Sequence, residues 1–448
     1  MRIKDKIHAQ TKNVNLQKVL NRYKCITKEN PRQSTGRGMS LDHLKNFKSI
    51  RNKERANIIS RELSNITSNK ARKSLEPLQL DKEEFSPETS SPLGGRLTFA
   101  KMTRTGYIPV LPETGFKKKQ NQDSSIILQN FLGITNNYFL GVFDGHGTNG
   151  AKVSGFIKNA IPEEIKRAYE ELTSPVGTDI NSNFKTMTAG FINKDKNPAR
   201  LDTYQNLRFR TKIIEQSIDN AQKKLKNRAI DIKFSGSTAN ICLVGPDHVL
   251  TCANVGDSRS ILIKCHNEGT KQEVWTCKAL SRDHKPDLSD EKSRIESNGG
   301  RVACFRDSNK KNIGPPRVWL KRAQIPGLAM SRSFGDEVAC CAGVTHKPEI
   351  QHCPLTQEDK AVVLASDGVW EFLSNKQVTN ILTNYIKAHK PRKGCEKVVS
   401  ESVRLWKLRD SVIDDITIIV AILPSSQDTG IRGKGVYSSL SCNRLPSC

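Results

Sequence analysis

The chain reads as an α+β protein built on antiparallel strands, and three features of the sequence carry that reading. Short apolar runs recur at 138–143, 249–255, 361–366 and 416–422, each of strand length. Several of these runs begin or end at an Asp. The strands also come in groups, flanked by a few long helical segments, rather than alternating with helices as a parallel doubly wound sheet requires.

Residues 1–95 read as a basic N-terminal extension and linker. Within 1–80 there are 19 Lys and Arg against 6 Asp and Glu. The whole chain of 448 residues carries 72 against 46, a net charge of +26, so half of the excess sits in this short stretch. Such a segment buries too little apolar surface to pack, so it is expected to be mostly disordered. Its charge suits an acidic partner, a nucleic acid or an anionic surface, and chooses none of them. Ser86 to Gly95, rich in Ser, Pro and Gly, reads as the linker.

The globular part is placed at 96–423. Leu97 to Ala100 is a short strand. Lys117, Lys118 and Lys119 precede Asn121, Gln122 and Asp123, and Ser124 to Leu128 is the next strand. The run from Tyr138 to Phe143 stops at the Asp144-Gly145 step, a turn signal, with His146 two residues on. Helical spacing runs from Ala151 to Leu172, with Pro162 a point where one helix could end and another open. The polar stretch 173–200 reads as an insertion, and Thr203 to Asn227 as a second long helix. Strands follow at 234–244, 249–255, 260–264 and 273–280, and a short helix at 289–297 ends on Asn298-Gly299-Gly300. Residues 305–327, basic and rich in Gly and Pro, are expected to form a mobile surface segment. Helices at 378–386 and 397–408 precede the last strand, and 424–448 reads as a flexible tail.

The acids at strand ends are the chemical signal. Asp144, Asp257 and Asp367 follow apolar strands, whereas Asp123 and the Asp414-Asp415 pair precede them. Neighbouring antiparallel strands place the end of one beside the start of the next, so these carboxylates can share one rim. Clustered carboxylates repel one another unless cations bind there. Oxygen ligands without Cys or paired His select hard divalent ions such as magnesium or manganese. No Cys-x-x-Cys occurs among the 12 Cys, which argues against a zinc site, and reduced thiols point to cytoplasm or nucleus. No run of 18 apolar residues occurs, so no membrane span is expected.

Nine blocks in order resemble the metal-dependent serine/threonine protein phosphatases of type 2C. They are 121–123, 142–147, 235–239, 253–259, 282–286, 296–300, 327–336, 365–371 and 414–417, together covering roughly 96–423. The resemblance implies a central antiparallel β-sandwich flanked by helices on both faces, with a two-metal centre at one rim. It implies that Asp144 bridges two magnesium or manganese ions, that the Gly145 carbonyl binds one, and that Asp367 and Asp414 bind the second. Asp123 matches an acid that holds metal-bound water, and Asp257 an acid linked to a weaker third ion. Lys119, or Lys118 beside it, matches the cation that holds the phosphate. His146 is the candidate proton donor to the leaving Ser or Thr oxygen, and holding a loop is its plainer alternative. Gln122 and Glu371 depart from the commoner Glu and Asp of the family. The substrates implied are phosphoserine and phosphothreonine proteins, handled by a monomer. The alternatives are a phosphatase fold kept as a binding module, or a protein whose basic arm is its main business.

Overall fold

A computed structural model describes residues 84–85, 96–109, 116–173 and 203–424, apart from 308, 310 and 411. The insertion at 174–202, the tail from 425 and the extension apart from 84–85 lie outside the described residues.

Two antiparallel sheets face each other. The first runs in the order β1 (Glu84–Phe85), β2 (Thr98–Arg104), β18 (Ile416–Ile422), β17 (Asp359–Ala365), β10 (Arg259–His266) and β11 (Val274–Ala279). The second runs β15 (Phe334–Gly335), β7 (Gly236–Ser237), β6 (Tyr138–His146), β8 (Ala239–Val244), β9 (Val249–Val255) and β16 (Glu349–Pro354), with β5 (Asp123–Gln129) also paired to β6. A hairpin of β3 (Tyr107–Pro109) and β4 (Phe116–Lys118) precedes β5.

The central strands read as unbroken apolar runs because both of their faces are buried. In β18, Ile416, Ile418, Val420 and Ile422 face one core, while Ile419 and Ala421 face the other. In β6, Phe139 and Phe143 point outward and Leu140 and Val142 point into the sandwich. The outer face of the second sheet is covered by α1 (Gly150–Thr173) and α2 (Thr203–Lys226) through Ile157, Ile161, Ile165, Ile214 and Ile218. Each of these fully buried side chains contributes roughly 1.5–3 kcal/mol. The first sheet is covered by α6 (Asn375–Lys387) and α7 (Pro391–Arg409), through Val378, Leu382, Val398 and Trp406. Helices on both outer faces of a β-sandwich are the architecture that the motif blocks imply.

Four details differ from the sequence reading. β6 does not stop at Asp144 but runs on to His146, because Gly145 and His146 pair with Ser237 and Gly236 of β7. Pro162 does not divide α1; with Ile157, Ile161 and Ile165 buried on either side of it, packing outweighs the hydrogen bond that Pro162 cannot make. Residues 300–328 form a three-stranded sheet rather than a mobile segment: β12 (Gly300–Arg306), β13 (Asn312–Leu320) and β14 (Pro326–Leu328). Val318, Leu320 and Leu328 of that sheet pack on Ile295 of α3 (Ser289–Ser297) and on Val338 and Ala339 of α4 (Glu337–Cys340). Finally, Glu84 and Phe85 pair with Thr103 and Met102, so the first strand lies ahead of residue 96.

Candidate active site

The acids meet where β5 begins beside the far end of β6. Asp123 and Asp144 are direct cross-strand partners, which places their side chains on one face, with Cβ atoms about 4.5–5.5 Å apart. Asp144 is held through its main chain: its N–H donates to Thr238 Oγ1 at 2.9 Å, and its carbonyl accepts from the Thr238 N–H at 2.9 Å. Asp123 Oδ2 accepts from the Ser366 hydroxyl at 2.8 Å. Its Oδ1 is shut off from water and has no protein hydrogen-bond partner. Burial, then the neighbouring Asp415, push the Asp123 pKa up to about 8, against the opposing bonds from Thr417 and Ser366.

Asp414 and Asp415 stand just ahead of β18 and divide their work. Asp415 is the better buried and accepts from the Gly106 N–H at 2.7 Å and the Gln122 N–H at 3.0 Å. Lys119 Nζ lies 2.5 Å from Asp414 Oδ1 and 3.1 Å from Asp415 Oδ2. Burial alone would lower the Lys119 pKa, but the two carboxylates more than reverse this and hold the ammonium charged. The Gln122 amide donates from Nε2 to the Gly147 carbonyl at 2.6 Å, a bond that a Glu carboxylate could not make. The Gly145 N–H donates to the Gln122 carbonyl at 3.1 Å, and a Cβ on Gly145 would lie 2.4 Å from that oxygen and 2.5 Å from Gly150 O. Only glycine fits there.

Asp367 opens α5 (Asp367–Trp370) and is 5% exposed. Asp257, 2% exposed, receives Lys285 Nζ at 2.7 Å. Burial works against the Lys285 charge, and the negative charges of Asp257 and Asp367 outweigh it. The Ser258 and Thr238 hydroxyls, 2.7 Å apart, connect the Asp257 loop to the main chain of Asp144. His146 is 8% exposed; its Nε2 lies 2.6 Å from Asp336 Oδ2, and its Nδ1 is buried without a protein hydrogen-bond partner.

A carboxylate rim on an antiparallel sandwich is thus in place, and the comparisons with known proteins give it a family. The family model for protein phosphatase 2C matches residues 111–405. The chain belongs to the protein phosphatase 2C family. It is 31% identical over 313 residues to the probable protein phosphatase 2C 73 of Arabidopsis thaliana, covering 69% of this chain and 77% of that protein. It is 34% identical over 315 residues to the probable protein phosphatase 2C 72 of the same plant, covering 69% and 83%. The crystal structure of serine-threonine phosphatase 2C from Toxoplasma gondii superposes with a TM-score of 0.57 at 20% identity, covering 76% of this chain and 98% of that one. That likeness concerns the fold. A protein phosphatase 2C is a protein-serine/threonine phosphatase, an enzyme acting on phosphoproteins.

The donor set of this protein phosphatase 2C fits hard divalent cations. Among the described residues, no group of three or more His, Cys, Asp or Glu side chains is drawn tightly enough to enclose an ion alone. Magnesium-type ions need no such cage: they keep several waters and take only one or two carboxylates. The orphaned, buried Asp123 Oδ1 and the raised Asp123 pKa mark a corner short of positive charge. Three participants were not singled out from the sequence. Asp415 was visible as a neighbour of Asp414, but adjacent acids before a strand look alike until the strand's facing is known. Lys285 and Asp336 stood inside the quoted blocks, and only the tertiary pairing gives them partners. No described helix is long and apolar enough to cross a membrane.

Proposed function

We propose that the chain is an active, metal-dependent phosphatase that hydrolyses phosphoserine and phosphothreonine in proteins through an activated water. The observation that carries this reading is the Asp123–Asp144 cross-strand pair, closed on one side by Asp414, Asp415 and Lys119. Asp144, the Gly145 carbonyl, Asp367 and Asp414 would hold two magnesium or manganese ions, with Asp123 beside them and Asp257 at a weaker third position. Bound there, the ions supply water activation and neutralise charge on the phosphoryl oxygens. Lys119 brings a permanent positive charge to the same edge for the phosphate dianion. Thr238 fixes the Asp144 main chain, so the carboxylate is set by a buried strand rather than by a loop. His146 delivers the proton that the leaving Ser or Thr oxygen needs. The basic stretch 1–80 serves as an arm for an acidic partner.

The test is phosphate release from a phosphothreonine peptide. Activity should vanish in EDTA and return with manganese, and Asp144→Asn should lower turnover more than any other single carboxylate change. Full turnover by metal-free protein would refute the reading.

A further inference from the structure

We infer that Asp336 is the positioning residue for His146: its carboxylate holds Nε2–H and leaves Nδ1 as the atom that protonates the leaving oxygen. The inference rests on the reading of His146 as proton donor.

The topology makes the contact. Phe334 and Gly335 of β15 pair with Ser237 and Gly236 of β7, and Gly236 in turn pairs with His146 of β6. Asp336 therefore arrives two strands away, 190 residues later in the chain, and its Oδ2 lies 2.6 Å from His146 Nε2. The space is fitted to it. A Cβ on Gly236 would lie 2.3 Å from the same Oδ2, so the intervening strand must carry glycine for the contact to form. Asp336 itself sits at φ 47°, a left-handed conformation that a non-glycine residue adopts at a cost. Its main chain is pinned by an N–H bond to the Ser235 carbonyl at 3.0 Å.

Proton placement follows from the partners. Asp336 Oδ2 also accepts from the Ser333 hydroxyl at 2.6 Å. An oxygen that takes two donors is acting as an acceptor, so the imidazole must present N–H at Nε2. Asp336 is 3% exposed and His146 8%, so water does not compete for this bond. The ring's other nitrogen, Nδ1, is buried and has no protein partner. A buried polar atom left unmatched costs about 1–3 kcal/mol, which calls for a partner supplied from outside the chain. During hydrolysis the bond from phosphorus to water oxygen forms and the bond from phosphorus to the Ser or Thr oxygen breaks. The departing oxygen takes the Nδ1 proton and leaves as a hydroxyl group. The doubly protonated ring thereby becomes neutral imidazole with Nε2–H on Asp336, and Nδ1 regains the proton that the attacking water gives up. The Asp336 carboxylate acts by orienting the ring, through the 2.6 Å contact at Nε2.

The experiment compares His146→Ala, Asp336→Asn, Asp336→Ala and the double variant His146→Ala/Asp336→Ala in the full chain with manganese. Each is assayed on a phosphothreonine peptide and on p-nitrophenyl phosphate, whose leaving group needs no proton. A positioned acid contributes about 10²–10⁴-fold, so Asp336→Ala should lower kcat on the peptide at least about tenfold with KM little changed. Asp336→Asn keeps an acceptor oxygen without the charge and should lose less. Both should lose much less on p-nitrophenyl phosphate, and the double variant should be no slower than His146→Ala alone. Peptide turnover by the Asp336 variants equal to wild type, with His146→Ala impaired, overturns the positioning role and spares the proton donor. Equal losses on both substrates with a lowered Tm show a structural role only. A His146→Ala enzyme that loses nothing specific to the peptide removes the proton donor and this inference with it. Should Asp336→Ala fail to fold, Asp336→Asn carries the comparison.

Discussion

Glu291→Gln is expected to destabilise the fold by about 3 kcal/mol at neutral pH. Glu291 lies on α3 and is 1% exposed. Arg294 grips its carboxylate with both terminal nitrogens, at 2.6 and 2.8 Å. Arg332 Nη2 adds a bond at 2.7 Å, and the Ser331 hydroxyl donates as well. Removing one partner of a buried ion pair costs about 3–5 kcal/mol, because the remaining charge is stranded. Arg294 and Arg332 are partly exposed and can recover some hydration, which favours the lower end of that range. For a domain this large, 3 kcal/mol corresponds to a fall in Tm of about 6 °C.

The pH dependence has a definite sign. Burial alone would raise the Glu291 pKa, but Arg294, Arg332 and Ser331 outweigh it and hold the group well below the usual carboxylate range. A depressed folded pKa contributes stability above the unfolded value, about 4.3, and loses it as pH falls toward the folded one. The gap between wild type and Glu291→Gln should thus be constant from pH 7 to pH 5.5 and narrow below about pH 4.3. Thermal unfolding followed by circular dichroism across that range is the assay. Equal Tm values at pH 7, or a gap that widens in acid, would refute the reasoning. The consequence reaches the active site, because Ser331 and Arg332 lead directly to Ser333 and Asp336.

Two further outcomes follow from the same geometry. Gln122→Glu places a carboxylate against the Gly147 carbonyl that Gln122 Nε2 now holds; its Tm should fall in EDTA and recover with manganese, and an unchanged Tm in EDTA would reject the role of that amide. Removing residues 1–80 leaves β1 in place, so the shortened chain should hydrolyse p-nitrophenyl phosphate at the full-length rate while losing any salt-sensitive binding to acidic protein; a slower or insoluble product would place the basic stretch in the catalytic unit.

What was legible in the sequence is what burial on two faces writes there. β6, β9, β17 and β18 are apolar on every residue or nearly so because helices cover one side and the opposite sheet the other. Their ends are therefore sharp, and the acids beside those ends stand out. The three-stranded sheet at 300–328 is fully buried only in part, chiefly at Arg317 to Leu320, and interrupts its own pattern. Gly314, Pro315 and Pro316 look like a turn, yet they lie within β13. The register shifts between Ala303, opposite Arg317, and Phe305, opposite Ile313, so the prolines stand where the ladder is already irregular. An irregular ladder demands no regular row of N–H donors, and proline is tolerated there.

The same contrast separates the acids from the residues that aim them. Asp123, Asp144 and Asp367 lie at or within a residue or two of a strand's end, so strand prediction delivers them. Asp336 follows only a two-residue strand whose partner, β7, is equally short. Neither piece carries a periodicity that could reveal the pairing, and the 190 residues between His146 and Asp336 hide it further. Asp415 illustrates the intermediate case. It directly precedes Ile416, whose side chain faces the helix-covered core, and alternation puts Asp415 on the opposite side, toward Gly106 and Gln122. Asp414 is left on the side that Lys119 reaches most closely. One residue of register thus separates a carboxylate that ties two loops together from one that lies closer to the Lys119 ammonium. That choice becomes readable once the facing of β18 is known.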